Sequence, residues 1–221
     1  MSKNEVKNTV NEKYANLSEY QLDALQELGN IGAGHAAVAL THFLNRSTYM
    51  SIPNVEVNKI DGLIDMVKMP KEEKVAIVSL ETIQDLEYSL IVFFDEKSIQ
   101  RIIDLMITEL GSTAAEIMEL SPLFMSLIKE VGSILLLKYV EALNDFLNVE
   151  SYPSPPALRI GTVPSITNHE IKDLKTKYPQ VLLIECDVFT SERKIQVDMA
   201  IIPHENTFDR FMNALFPEEG E

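Results

Sequence analysis

Two long stretches of the chain place apolar or small residues at the spacing of an α-helix that buries one face. The first begins near Ser18, which forms the pattern of a capping box with Gln21 and so predicts a helix start. The second begins near Ser121 and Pro122, a favoured pair for a helix cap and first turn, and runs to about Leu147. The apolar stripe of the first helix is predicted at positions 22, 25, 29, 32, 33, 36, 40, 43 and 44.

Each stretch is followed by strand-like segments and then by a shorter amphipathic helix. The first set of segments is VEVNKIDGLIDMV, KVAIVSLET and EYSLIVFF, and the second is ALRIGTV, VLLIECDVF and KIQVDMAII. Short polar loops separate the last two segments of each set, which is typical of a β-hairpin. The amphipathic helices are predicted in KSIQRIIDLMI and NTFDRFMNALF. Each half is therefore expected to be a long helix, three strands and a shorter helix.

The two halves are related by an internal repeat of 103 residues. ELGNIGAG in the first half aligns with EVGSILLL in the second at this offset. Four residues of similar type also match in this register. The pairs are Asp23 with Ser126, Glu27 with Glu130, Asn30 with Ser133, and Pro53 with Pro156.

The pattern predicts an α+β fold in which two pseudo-symmetric helix-plus-three-strand repeats form one largely antiparallel sheet, with the long helices packed on it. No linker rich in Pro, Gly or Ser separates the repeats, so a single domain over 1–221 is expected. Repeat one covers about 18–110 and repeat two about 113–217, and residues 1–17 form a polar tail. The extra segment ITNHEIKDLKTKYP is predicted to be a surface loop or short helix.

Composition narrows the classes of function. The net charge of −15 argues against a nucleic acid partner, because phosphate binding needs clusters of lysine and arginine. Neither a membrane-spanning helix nor a signal peptide is predicted, so a cytoplasmic location is expected. The histidines have no metal-ligand spacing, and no metal site is expected. Cys186 lies in a strand-like run and is predicted to be a buried, inert thiol.

One face of the first helix carries the candidate chemistry. With Asp23 at 0°, Glu27 falls at about 40°, Asn30 at about −20° and Gly34 at about 20°. A carboxylate and a carboxamide are therefore predicted to point outward side by side. An ordinary solvated face is the alternative, but Asn is a poor residue within a helix and Gly34 costs about 1 kcal/mol relative to Ala there. Without a side chain, Gly34 would let another molecule approach closely.

The segment GNIGAG could be mistaken for a phosphate-binding glycine loop. A dinucleotide fingerprint needs a strand before it and a helix after it, whereas here a helical pattern precedes the segment and continues through it. The small residues at 29, 32, 33, 36 and 37 are interpreted as close packing of the helix against the sheet.

The pattern Asp/Ser-x3-Glu-x2-Asn-x22-Pro, matched by Asp23, Glu27, Asn30 and Pro53, resembles the signature of the CheC/CheX/FliY chemotaxis phosphatase family. The segment LQELGNIGAGHAAVALTHFL also resembles the first helix of CheC-type members. The likeness covers the whole chain, since both repeats and the length are similar to those of CheC-type members. CheX-type members are shorter, and FliY-type members carry an added C-terminal domain.

The resemblance implies a cytoplasmic enzyme that hydrolyses the aspartyl phosphate of the response regulator CheY. Asn30 would position the attacking water and Glu27 would dock the partner, with Asp23, Gly34 and Pro53 in supporting roles. No cofactor of its own is implied, and Mg²⁺ is expected on the partner response regulator.

The second copy of the motif is degenerate. Ser126, Glu130 and Pro156 match the family pattern, but Ser133 replaces the Asn and Leu137 stands at the position equivalent to Gly34. The second helix is therefore expected to be catalytically silent.

Two other functions fit the same resemblance. CheC-type proteins are similar to known partners of the receptor deamidase CheD, so the chain could act as a non-catalytic binding module for CheD. A role at the flagellar switch, as in FliY, is the third hypothesis, and the absence of the added C-terminal domain argues against it.

Overall fold

The computed structural model describes residues 18–51, 53–69, 71–110, 122–166, 180–191 and 194–204, together with Arg210 and Asn213. The predicted polar tail lies outside the described residues. So do most of the predicted extra segment and of the last amphipathic helix.

The observed elements follow the predicted repeat. The first half contains α1 (Glu19–Leu44), β1 (Thr48–Met50), β2 (Asn54–Lys59), α2 (Leu63–Met66), β3 (Lys74–Gln84), β4 (Tyr88–Phe94) and α3 (Glu96–Leu110). The second half contains α4 (Pro122–Leu147), β5 (Ser151–Pro153), β6 (Ala157–Thr162), β7 (Gln180–Thr190) and β8 (Lys194–Pro203). The long helices and the first two strands of each half are related by the 103-residue offset.

The ends of the long helices have local causes. The Ser18 hydroxyl accepts a hydrogen bond from the Gln21 amide at 3.3 Å, and the Gln21 side chain accepts one from the Ser18 amide at 2.9 Å. This capping box confirms the predicted start of α1. Helix α1 ends at Asn45, which adopts a left-handed conformation with φ of 49°. Asn148, 103 residues later, has φ of 51° directly after α4.

The equivalent turns are also held by equivalent hydrogen bonds. The Thr41 hydroxyl accepts from the Thr48 amide at 3.0 Å. In the second half, the Asn144 side chain accepts from the Ser151 amide at 3.1 Å and donates to the Ser151 carbonyl at 2.9 Å. The repeat is therefore preserved in the contacts that join each long helix to its first strand.

The strands form one eight-stranded sheet in the order β1-β7-β8-β4-β3-β5, with β2 also pairing with β7 and β6 with β3. Every strand pair in the described part of the chain is antiparallel. The first strands of each repeat pair with the hairpin of the other repeat. Each half therefore completes the sheet of its partner, and the predicted α+β fold with two pseudo-symmetric repeats is confirmed. Each half contributes four strands and not the predicted three, because the short strands β1 and β5 were not predicted.

The sheet is covered unequally on its two faces. Helices α1, α3 and α4 pack on one face and form the larger core cluster with it. The other face is covered by a smaller cluster. Among the described residues, no helix is long and apolar enough to cross a membrane.

One predicted strand is shorter than expected. The segment VEVNKIDGLIDMV was predicted to be strand throughout, but β2 ends at Lys59, and Ile60–Gly62 forms a 3₁₀ turn that leads into α2. Ile60, Leu63 and Met66 are buried at helical spacing against the less covered face of the sheet. The strand prediction was wrong beyond Lys59 because three apolar residues at a 3.6-residue period span too short a stretch to be distinguished from the preceding strand pattern.

Candidate functional site

The outward face of α1 carries the predicted motif. Asp23, Glu27 and Gly34 are exposed, and Asn30 is half-buried. The Nδ2 of Asn30 donates to the Oε2 of Glu27 at 3.5 Å, so the carboxamide and the carboxylate lie next to each other one turn apart. The Asn30 amide group offers a hydrogen-bond donor to a molecule that approaches the helix from outside. The Asn30 carbonyl and the Glu27 carboxylate offer two kinds of acceptor.

Close packing behind this face fixes the position of α1. A Cβ at Gly29 would lie 2.7 Å from the Cγ of the buried Pro53, in the loop that precedes β2. Gly29 is the neighbour of Asn30, so Pro53 supports the helix directly behind the carboxamide. The structure thus gives Pro53 a packing contact and no place on the exposed face.

The other long helix contributes a second contact. A Cβ at Gly32 would lie 2.5 Å from the ring of Tyr139 in α4, so Gly32 packs against the neighbouring helix. The interpretation from the sequence, that Gly32 packs against the sheet, was wrong. The Tyr139 hydroxyl donates to the Gly29 carbonyl at 3.2 Å. Burial raises the pKa of Tyr139 well above its ordinary value, so the hydroxyl remains a neutral donor.

Gly34 differs from these two glycines. A Cβ at Gly34 would meet no atom within 4 Å. The fold itself therefore does not require glycine here, although glycine destabilises a helix interior relative to alanine. The open space beside Gly34 is continuous with the face that carries Glu27 and Asn30.

The equivalent face of α4 has a different arrangement. Ser126 and Glu130 are exposed, but Ser133 is buried and its hydroxyl donates to the Lys129 carbonyl at 2.6 Å. Leu137 is exposed where α1 has Gly34. The structure therefore does not bring the degenerate second set together on one surface.

The loop contact behind the second helix has also changed. The three atoms nearest to a Cβ at Gly132, the equivalent of Gly29, all belong to Val78 of β3. Pro156, the equivalent of Pro53, is only half-buried. The contact between Pro53 and Gly29 therefore has no equivalent among the three atoms nearest to a Cβ at Gly132.

Two exposed apolar side chains on the same face of α1 were not singled out from the sequence. Tyr20 and Val38 are exposed on α1, at about 60° when Asp23 is taken as zero. They lie before and after the Glu27 and Asn30 pair on the same face. A helical projection that marked apolar residues on the polar side would have found them.

In the part of the chain that the structure describes, neither a thiol nor a metal cluster lies on this face. Cys186 is buried beneath the helices in the larger core cluster, and burial raises the pKa of its thiol to about 12. Among the described residues, no group of three or more His, Cys, Asp or Glu side chains is arranged to hold a metal ion.

A separate polar cluster lies on the less covered face of the sheet. Glu185 of β7 accepts from the Lys68 ammonium at 2.8 Å and from the Asn54 side chain at 3.1 Å. Its partner across the strands is Asp198 of β8, which is fully buried. This cluster joins the segment after α2 to the sheet and was not predicted from the sequence.

Comparison with known proteins supports the motif and the fold. The CheC-like family matches residues 21–57, the segment that holds Asp23, Glu27, Asn30 and Pro53. The CheY-P phosphatase CheC of Bacillus subtilis (strain 168) is 27% identical over 208 residues, which cover 90% of this chain and 95% of that protein.

Solved structures share the same architecture. The crystal structure of Thermotoga maritima FliY matches with a TM-score of 0.70 and 21% identity, over 90% of this chain and 97% of that chain. The FliM middle domain of H. pylori matches with a TM-score of 0.60 and 9% identity, over 90% of this chain and 99% of that chain. The fold is thus that of the two-repeat α+β class that these structures share. In its motif segment and along most of its length, the chain is similar in sequence to CheC-type proteins, and in fold to FliY.

Proposed function

We propose that the chain is a phosphatase that hydrolyses the aspartyl phosphate of the chemotaxis response regulator CheY. The observation that carries this proposal is the contact between Asn30 and Glu27 on the outward face of α1. The B. subtilis relative, named as a CheY-P phosphatase, supports the same reaction. The enzyme would act in the cytoplasm.

In this reaction, the oxygen of a water molecule attacks phosphorus and the bond from phosphorus to the aspartyl oxygen breaks. The aspartate leaves as a carboxylate, and the protons of the water end on the phosphate product and in solvent. The transition state is loose, so the main requirement is a water held in line with the leaving oxygen. A strong base is not needed.

Asn30 is suited to hold this water. Its carboxamide both donates and accepts hydrogen bonds, so it can fix the orientation of a water lone pair. Its contact with Glu27 and the packing of Gly29 behind it restrict the position of the side chain. Positioning of this kind can accelerate a reaction by about 10²-fold or more.

The other residues of the face have supporting roles in this proposal. Glu27 would pair with a lysine beside the phosphoryl group of the partner and fix the register of the complex. Asp23 would tune the same face, and Gly34 would allow close approach. Pro53 would act only through the position of the helix.

The partner would supply the remaining chemistry. Mg²⁺ is expected on the phosphorylated response regulator, where it would offset the charge of the phosphoryl group. The enzyme is proposed to need no cofactor of its own. The second helix is proposed to be silent, because the hydroxyl of Ser133 is buried and already donates a hydrogen bond to the Lys129 carbonyl of the same helix.

A flagellar-switch role of the FliY type is the second candidate, and the likeness of fold to FliY and to the FliM middle domain favours it. Binding of CheD remains a third hypothesis. The direct experiment adds the purified protein to phosphorylated CheY with Mg²⁺ and follows phosphate release. Faster release than from phosphorylated CheY alone is expected, and an unchanged rate would reject the phosphatase proposal.

A further inference from the structure

Two large hydrophobic side chains stand out on the polar face of α1. Tyr20 is 72% exposed and Val38 is 62% exposed. A single exposed apolar residue is common on protein surfaces and needs no explanation. The position of these two relative to the Asn30 and Glu27 pair is what distinguishes them.

Tyr20 and Val38 have the same orientation on the helix. They are separated by 18 residues, which is about five turns and roughly 27 Å along the axis. Glu27 and Asn30 lie near the middle of this interval. Around the helix axis, Glu27 is about 20° and Asn30 about 80° away from the direction of Tyr20 and Val38. The candidate catalytic pair is therefore flanked by an apolar side chain at each end.

The same positions of α4 serve as an internal comparison. Leu123 is the equivalent of Tyr20 and is also exposed. Glu141 is the equivalent of Val38, and it forms an ion pair with Lys138 on its own helix. Helix α4 thus keeps exposed apolar residues at Leu123 and Leu137, but it has a charged residue where α1 has exposed valine.

We propose that Tyr20 and Val38 are docking residues that hold the phosphorylated receiver protein across the candidate catalytic pair. This inference rests on the proposed function. Exposed ion pairs such as one formed by Glu27 contribute little affinity, whereas burial of apolar side chains that exclude water contributes much more. The interval of roughly 27 Å fits the width of an ordinary protein interface, which buries about 800 Å² on each partner.

The charge of α1 favours a receiver protein over a second copy of this chain. The helix carries Glu19, Asp23 and Glu27, and no lysine or arginine occurs between Glu19 and Leu44. A symmetric dimer through this face would place the same acidic patch against itself. A receiver protein that presents a lysine beside its phosphoryl group is complementary to it.

The test measures the KM and kcat of phosphate release with CheY phosphorylated in the presence of Mg²⁺. In the double variant Tyr20→Ala with Val38→Ala, KM should rise by about tenfold or more while kcat stays within about twofold. The matched controls are Tyr49→Ala and Tyr152→Ala, which truncate exposed tyrosines on the edge strands β1 and β5. Each control should leave KM unchanged.

A binding measurement separates this inference from the phosphatase proposal. CheY loaded with beryllofluoride and Mg²⁺ imitates the phosphorylated form without turnover. If the wild-type protein binds it and the folded double variant binds it equally well, the docking role is wrong even if catalysis is real. Equal losses of affinity in the control variants would also overturn it, as would a wild-type dimer that the double variant dissociates without a change in KM. If the wild-type protein neither binds nor hydrolyses, both proposals fail.

Discussion

The hydroxyl of Ser133 donates a hydrogen bond to the carbonyl of Lys129 at 2.6 Å, inside the protein. The equivalent Asn30 in α1 instead has its carboxamide at the surface, 3.5 Å from the Oε2 of Glu27. The two repeats therefore share a helix and a sequence register but differ in what they present to a partner.

This difference predicts that the two glutamates at equivalent positions are not equivalent in function. Glu130→Ala is expected to leave the turnover of phosphorylated CheY within about twofold of wild type, since Glu130 has no exposed carboxamide beside it. Glu27→Ala should raise KM several-fold by removing the proposed docking charge. Phosphate release at several CheY concentrations measures both. If Asn30→Ala kept half of the activity and Glu130→Ala removed the rest, the second helix would be active and this account of it would be wrong.

Gly34→Ala should separate stability from activity. A Cβ at position 34 meets nothing in the fold, so the substitution should stabilise the protein by about 1 kcal/mol through the helix propensity of alanine. It should at the same time reduce phosphatase activity several-fold, because the methyl group occupies the space proposed for the partner. Thermal denaturation and phosphate release are measured on the same preparation.

Gly29→Ala and Gly32→Ala provide the contrast. A Cβ at these positions would lie 2.7 Å from Pro53 and 2.5 Å from Tyr139, so both variants should lose stability. A Gly34→Ala variant that gained stability and kept full activity would show that no partner approaches the helix there.

Glu27→Lys tests the sign of the charge on the candidate site. The side chain is exposed, so the free energy of unfolding should change by about 0.5 kcal/mol or less. Affinity for beryllofluoride-loaded CheY should fall, and it should fall most at low salt, where screening is weakest. Glu130→Lys on α4 adds the same charge elsewhere and should have little effect. Equal affinity of Glu27→Lys and wild type at low salt would refute the docking role of Glu27.

The buried Asp198 predicts a pH dependence of stability that is separate from catalysis. Burial, and secondarily the neighbouring Glu185, raises the pKa of Asp198 to about 6, although a hydrogen bond from Gln196 opposes the shift. Because the folded pKa lies above the unfolded value of 3.8, the folded protein binds this proton more tightly. The contribution is full below about pH 4 and is lost as pH rises through about 6. It amounts to at most about 3 kcal/mol.

Asp198→Asn should remove this dependence. Asp198 Oδ2 and Glu185 Oε1 are both buried without a hydrogen-bond partner in the described part of the chain, and an Asn amide could donate to the glutamate. Urea unfolding from pH 4.5 to 8 should show the variant gaining stability over wild type as pH rises. A difference between the two proteins that stays constant across this range would refute the assignment.

Local signals in the sequence were sufficient for the long helices, the β-hairpins and the repeat. The capping box of Ser18 and Gln21 and the span of α4 are found where the residues predict them, because both depend on neighbours in sequence. The exposed positions of Glu27 and Gly34 follow from helical periodicity in the same way. The roles of these residues in catalysis stay predictions.

Long-range contacts could not be obtained from the same signals. Nothing local shows that β2 pairs with β7 and β6 with β3, since this exchange between repeats depends on the whole sheet. The contact of Gly32 with Tyr139 joins residues far apart in sequence. The burial of Asp198 likewise depends on residues that are distant in sequence. The burial of Ser133 likewise depends on how α4 packs against the sheet.

The central claim is that the Asn30 carboxamide positions the attacking water. The most direct measurement is the rate of phosphate release from saturating phosphorylated CheY with Asn30→Ala, and with Ser133→Ala as the matched control on α4. The account predicts a loss of about 10²-fold or more in Asn30→Ala, with no loss of thermal stability and unchanged binding of beryllofluoride-loaded CheY, and no loss of activity in Ser133→Ala. A folded Asn30→Ala variant with the turnover of the wild-type protein would contradict it.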